Sequence, residues 1–216
     1  MSVLSSLTGH AIMLFARLVT AVRGDWAGVE PIPTQRVYFA NHVSHGDFVL
    51  IWTTLPGRLR ERTRPVAGAD YWLSSKLKRF IGEQVFRAVL IERASTTSSP
   101  ADAMQLMSEA ISGGDSLILF PEGTRNTSNE PLLPFKSGLY HLAKANPSVE
   151  LVPVWIDNLH RVLPKGEFVP VPLACKVTYG KALRINPNEP KDEFIQRAEA
   201  ALLLTGKSDA NAVAGA

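Results

Sequence analysis

A single cysteine, Cys175, stands among 216 residues, which excludes an internal disulfide and any cysteine-built metal centre. It lies in the apolar run PVPLACKVTY, where a thiol packs as a small hydrophobe, and an intracellular compartment fits. Net charge is equally scarce: 23 Lys and Arg against 20 Asp and Glu leave +3. With neither a helix-turn-helix pattern nor a zinc-finger spacing beside it, nucleic acid is not an expected partner. Repeats and low-complexity linkers are also missing. Hydrophobic residues at 45% and charged ones at 20% are ordinary for a globular chain, so disorder is not the default and one full-cored domain is expected.

Residues 1–22 carry no basic segment ahead of their apolar stretch and no small-residue cleavage signal, so a cleaved leader is not expected. Arg17 interrupts the stretch, which argues against a membrane-spanning helix. At about 100° per residue, Leu4, Leu7, Ala11, Leu14, Phe15, Leu18 and Val22 share one face, with Ser6, His10, Arg17 and Thr20 opposite. Two readings fit: a helix packed on the core, which periodicity alone favours, or one lying in a membrane interface. Residues 57–93 hold nine Lys or Arg against four acids, a solvated face or a surface for anionic lipid or phosphate.

Beyond the Gly/Pro-bearing connection GDWAGVEPIP, strands are expected at RVYFA (36–40), AVLIE (88–92), SLILF (116–120), LVPVWI (151–156) and LACKVTYG (173–180). Helices are expected from a Ser44 cap to Pro56, over 68–82, from a Ser99 cap to Gly113–Gly114, over 135–146, and from near Pro190. TGKSDANAVAGA reads as a frayed tail. The alternation predicts an α/β fold with a largely parallel mixed sheet flanked by helices. Three polar clusters follow apolar strands: NHVSHGD, ERA and PEGTR. Open α/β sheets bind ligands at that edge.

Within NHVSHGD, a helix capped by Ser44 would set His45 and Asp47 about 200° apart, on opposite sides. His42, in the entering chain, is the histidine that a first-turn Asp47 reaches. An aspartate on one ring nitrogen fixes the tautomer and leaves the other as a general base. The plain alternative is that Asp47 completes a capping box beside a loop histidine. In FPEGTR (120–125), Gly123 permits positive φ or close backbone approach, and Arg125 offers a planar fork suited to phosphate. A loop salt bridge is the alternative there.

Together these residues resemble the glycerolipid acyltransferases of the 1-acyl-sn-glycerol-3-phosphate (lysophosphatidate) acyltransferase type. NHVSHGD matches the H-x-x-x-x-D motif as His42 and Asp47, LIERAS the second block with Arg93, and FPEGTRN the third with Glu122, Gly123, Thr124 and Arg125. LLPFKSGLYHLA resembles the Phe-Lys-x-Gly helix start at Phe135, Lys136 and Gly138, and LVPVWID the fourth block. The resemblance implies the glycerolipid acyltransferase fold, with His42, oriented by Asp47, deprotonating the acceptor hydroxyl as it attacks an acyl thioester. It implies acceptor-phosphate binding by Arg125 with Arg93 and Lys136, and Glu122 either positioning the glycerol or bracing Arg125.

No metal or cofactor is implied. A G-x-S-x-G elbow is absent and Cys175 lies outside every cluster, so no acyl-enzyme is expected. His10, His45, His141 and His160 read as structural or surface residues. The implied partners are acyl-CoA or acyl carrier protein as donor, a lysophospholipid acceptor and an anionic membrane surface. The implied location is peripheral, on the cytoplasmic face of the inner (cell) membrane. In that light residues 1–24 read as an amphipathic membrane-associated helix, 25–205 as the catalytic domain and 206–216 as a flexible tail. Glycerol 3-phosphate, another lysophospholipid or an acylated amino-acid lipid are alternative acceptors. Thioester hydrolysis and a non-catalytic membrane-bound scaffold are the alternatives in other classes.

Overall fold

RVYFA is apolar after its first residue because both of its faces are covered. As strand β2 (Arg36–Ala40) it is buried throughout, with Tyr38 and Ala40 in one hydrophobic cluster and Val37 and Phe39 in the other. The computed structural model describes residues 2–92, 99–157 and 174–213. Around β2 stand β1 (Arg23–Asp25), β3 (Thr63–Gly68), β4 (Val89–Ile91), β5 (Ser116–Leu119), β6 (Glu150–Asp157) and β7 (Lys176–Tyr179). They form one sheet in the order β1-β7-β6-β2-β5-β3-β4. Every pairing is parallel except β6–β7. The expected α/β fold, a largely parallel mixed sheet between helices, is the one found.

One side of the sheet is covered by α1 (Val3–Thr20) and α2 (Asp47–Thr54). The other is covered by α6 (Pro100–Ser112), α7 (Gly138–Ala145) and α8 (Lys191–Val213). Helix α6 begins where its sequence says: Ser99 and Asp102 form both arms of a capping box, with Pro100 in the first turn. The short helix α3 (Gly57–Arg60) leads from α2 into β3, while α4 (Ala69–Trp72), α5 (Lys76–Arg79) and the π-helical turn (Phe80–Val85) that continues α5 join β3 to β4.

Several expectations are corrected. The single helix over 68–82 is broken: Ser75 turns extended and caps α5 through the Lys78 N–H, as Ser residues do in competition with helix. The π turn then brings Gly82 against the Trp72 ring, where a Cβ would lie 3.0 Å from the indole. Strands β1 and β3 fall in stretches without strand-like periodicity. Strand β3 contains Pro65, which lacks an N–H, and passes there from pairing with β5 (63–65) to pairing with β4 (66–68). Helix α2 starts at Asp47 rather than His45. Helix α8 runs to Val213, through most of the segment expected to be a frayed tail.

Helix α1 rests on the body through small residues. Ser5, Gly9, Ala16 and Thr20 are its buried positions, and a Cβ on Gly9 would lie 3.3 Å from Val85 and 3.4 Å from Trp52. Ile12, Met13 and Val19 pack partly on the core beside them, but the face expected to be buried points the other way: Leu4, Leu7, Leu14, Phe15 and Leu18 are all more than half exposed. Periodicity alone favours packing that face on the core, and the structure turns it outward. The basic stretch also divides. Arg62, Arg64 and Arg87 converge on the Asp115 carboxylate, and Arg60 covers the Trp52 ring while bonding the Leu55 carbonyl.

Candidate active site

The site forms because β2 and β5 are neighbours in parallel register, with Phe39 opposite Leu119. Both chains leave the sheet at the same edge, so residues 41–47 and 120–126 meet there. The chain lays β3, β4 and β5 on one side of β2 and then crosses to β6 on the other, which opens a crevice beyond β2. Buried Asn41 fixes the exit: its amide donates to the Ile156 carbonyl at 3.1 Å and accepts from the Ile156 N–H at 2.8 Å, tying β2 to β6.

The Nδ1–H of His42 donates to the Asp47 carboxylate at 2.8 Å. Asp47 is fully buried and the imidazole 14% exposed. The same oxygen, Oδ2, accepts the Val43 N–H at 2.7 Å and the Ser44 N–H at 2.9 Å. Three donors on one oxygen fix the carboxylate and make Nδ1 the protonated nitrogen, leaving the Nε2 lone pair as base. One imidazole face lies on Phe120, centroids 4.2 Å apart and 22° from parallel.

Both backbone polar groups of His42 are tied down as well. Its N–H donates to Glu122 Oε1 at 2.8 Å, and its carbonyl accepts the Asn126 N–H at 2.6 Å. The second Glu122 oxygen accepts the Leu133 N–H at 2.8 Å. Glu122 therefore clamps two loops to the His42 turn, and among the described residues it makes no ion pair with Arg125. Burial pushes its carboxyl above the usual carboxylate range, and the two backbone donors oppose that rise.

Gly123 sits at φ +70°, and a Cβ there would lie 2.8 Å from the Lys136 side chain. Lys136 is drawn in by its own N–H, which donates to the Pro121 carbonyl at 2.9 Å. Thr124, Arg125 and Lys136 are exposed, and among the described residues neither cation makes an ion pair. The edge thus presents an oriented imidazole base beside two cations that have no carboxylate partner among the described residues, an arrangement able to activate a hydroxyl on an anionic molecule.

The structure brings His42, Asp47, Glu122, Gly123 and Lys136 together, with Thr124 and Arg125 on the same turn. Arg93 lies outside the described residues, as does His160; β4, the strand before Arg93, is separated from β2 by β5 and β3. His45 stacks on Tyr71 at 5.4 Å, away from Asp47. Sequence reasoning misses Asn41, Asn126 and Phe120. The two asparagines flank the recognised motifs, which is a usable signal, whereas Phe120 reads only as the last residue of a strand.

A family model described as Acyltransferase matches residues 25–157. The chain belongs to the acyltransferase family. It is 31% identical over 185 residues to 1-acyl-sn-glycerol-3-phosphate acyltransferase of Limnanthes alba, covering 80% of this chain and 59% of that one. It is 29% identical over 164 residues to the mouse 1-acyl-sn-glycerol-3-phosphate acyltransferase alpha, covering 72% and 53%. The chain thus spans less than two thirds of these acyltransferases. The crystal structure of the 1-acyl-sn-glycerophosphate (LPA) acyltransferase PlsC from Thermotoga maritima superposes with a TM-score of 0.69 at 20% identity, over 95% of this chain and 81% of that one. Its fold is that of this acyltransferase-family chain.

Proposed function

We propose that this chain moves a fatty acyl group from a thioester donor, acyl-CoA or acyl carrier protein, to the free hydroxyl of lysophosphatidate, giving phosphatidate. The observation that carries the reading is the 2.8 Å contact of His42 Nδ1 with buried Asp47, at an edge that also presents Arg125 and Lys136. His42 Nε2 takes the hydroxyl proton as the oxygen attacks the thioester carbonyl. The tetrahedral intermediate collapses by breaking the carbon–sulfur bond, and the imidazolium returns its proton to the departing thiolate. Asp47 stabilises the imidazolium between these steps.

Arg125 and Lys136, joined by Arg93, pair with the acceptor phosphate, and the names of the relatives support a lysophosphatidate acceptor. Glu122 acts through the backbone of His42 as a positioning residue. The outward apolar face of α1 suits insertion among headgroups, with Arg17 at the polar level. The protein then lies peripherally on the cytoplasmic face of the cell membrane, where a soluble donor meets a bilayer-held acceptor.

The test is a panel of lysophosphatidate, glycerol 3-phosphate, another lysophospholipid and an acylated amino-acid lipid, in vesicles, with each donor type and lipid products identified by mass. Phosphatidate from lysophosphatidate as the dominant product is expected. Preference for another acceptor, or release of free fatty acid alone, would overturn the assignment.

A further inference from the structure

The divided basic stretch leaves one cluster of cations without a carboxylate partner among the described residues, although Lys78 donates to the Ser74 hydroxyl at 3.2 Å. Across residues 69–80, Lys76, Lys78 and Arg79 stand against Asp70 alone, and among the described residues none of the three makes an ion pair. Interleaved with them are exposed apolar side chains: Tyr71 at 42%, Leu73 at 39% and Leu77 at 67%. The Lys78 ammonium lies 4.1 Å from the centre of the Tyr71 ring, so the two form one amphipathic unit.

This lip adjoins the His42 turn and is continuous with the π turn that packs on α1. Tyr71 stacks on His45, three residues from His42. The π turn that continues α5 carries Val85, the residue against which Gly9 of α1 packs, and Trp72 beneath the lip packs edge-on against Phe48 of α2. The lip is thus braced by the elements that support α1 and the His42 turn.

We propose that the α4–α5 lip is a second membrane footing, seated on a bilayer that carries anionic phospholipid and set at the mouth of the His42 site. It rests on the acyltransferase reading above for the purpose of that mouth, namely admission of an acceptor directly from the bilayer. Charge selects the occupant: apolar side chains inserted among headgroups, ringed by Lys and Arg, match an anionic interface. A soluble protein partner would have to meet three cations with carboxylates, and that occupant is an outcome of the test.

Cys175 is buried, so a thiol introduced by Leu77→Cys can be labelled selectively with an environment-sensitive fluorophore. Labels introduced by Leu14→Cys on α1 and Leu204→Cys on α8, across the sheet, serve as references. On vesicles containing anionic phospholipid, positions 77 and 14 are expected to shift to the blue and position 204 to stay unchanged. The triple variant Lys76→Gln, Lys78→Gln, Arg79→Gln should lower partition onto those vesicles on the order of a hundredfold, at roughly fivefold per charge. Its partition onto neutral vesicles and its melting curve should match the wild type.

A shift at position 14 with none at 77, or unchanged partition of the folded triple variant, would overturn the footing; capture of an acidic protein instead of vesicles would do the same. The label reports lipid contact whether or not acyl transfer occurs. Acyl transfer without a shift at 77 therefore sinks the footing alone, and a shift without acyl transfer on any acceptor sinks only the catalytic reading.

Discussion

Asp47→Asn separates the two services that a carboxylate renders a histidine. In serine-protease-type triads the corresponding change supplies the wrong tautomer. Here Oδ2 accepts two backbone N–H groups besides His42, while Oδ1 is buried with no hydrogen-bond partner. An amide therefore keeps its oxygen at the Oδ2 position, since its NH2 there would face three donors. The Nδ1–H tautomer survives, the charge is lost, and the NH2 enters the buried Oδ1 place without an acceptor among the described residues.

Two opposite charges about 4 Å apart at an effective dielectric near 20 interact by about 4 kcal/mol, so stabilisation of the imidazolium falls by up to a thousandfold in kcat. Stability falls by about 2–4 kcal/mol, part of it from the amide NH2 left without an acceptor. Three charge-assisted bonds weaken, and the relief of not burying a charge offsets part of that loss. Nitrogen NMR of the His42 ring gives the tautomer, steady-state kinetics the rate and thermal melting the stability. An Nε2–H ring in the variant, or a kcat within threefold of wild type, would refute the reasoning.

Arg125→Ala should raise KM for a phosphate-bearing acceptor more than for the thioester donor, because a charge-assisted pair to phosphate is lost; equal effects in a two-substrate kinetic analysis would contradict phosphate pairing. Gly123→Ala should destabilise by about 1–3 kcal/mol from its positive φ and displace Lys136, a loss read as a lower melting temperature together with a higher acceptor KM. The carboxyl of Glu189 is held low by the hydrogen bond from Arg197, and the pair anchors the start of α8. A depressed folded value stabilises above the unfolded one and loses that stabilisation as pH falls through it. The melting-temperature gap between wild type and Glu189→Gln should therefore be full above about pH 4.5 and close in more acidic buffer.

What the sequence conveys well is whatever rests on local chemistry. RVYFA and SLILF are legible as buried strands because their apolar runs reflect two covered faces, and α6 is legible from its Ser99 cap, Pro100 and the Gly113–Gly114 stop. Spacing alone leaves His42–Asp47 level with a capping box, and the pair becomes legible once FPEGTR and the acyltransferase motifs stand beside it; the structure shows the contact. Strand β3 is hidden because its residues split between two neighbours around Pro65, a long-range arrangement that leaves no period of two. Helix α1 misleads for a different reason. Its apolar face is real, but small residues on the adjacent stripe let the backbone approach Trp52 and Val85, so close packing wins over burial of the larger side chains. Glu122 and the arginines on Asp115 form contacts with residues far along the chain, and no local pattern announces them.

The central claim is that His42 is the general base, and it is tested by measuring kcat for His42→Ala and His45→Ala side by side on vesicle-presented lysophosphatidate, each with a thermal melt. His42→Ala should lose roughly 10²–10⁴ in kcat at near wild-type melting temperature, while His45→Ala, whose ring stacks on Tyr71 rather than reaching Asp47, stays within about tenfold. An equally folded His45→Ala variant that is the more damaged of the two, or a His42→Ala variant that keeps its turnover, would contradict the account.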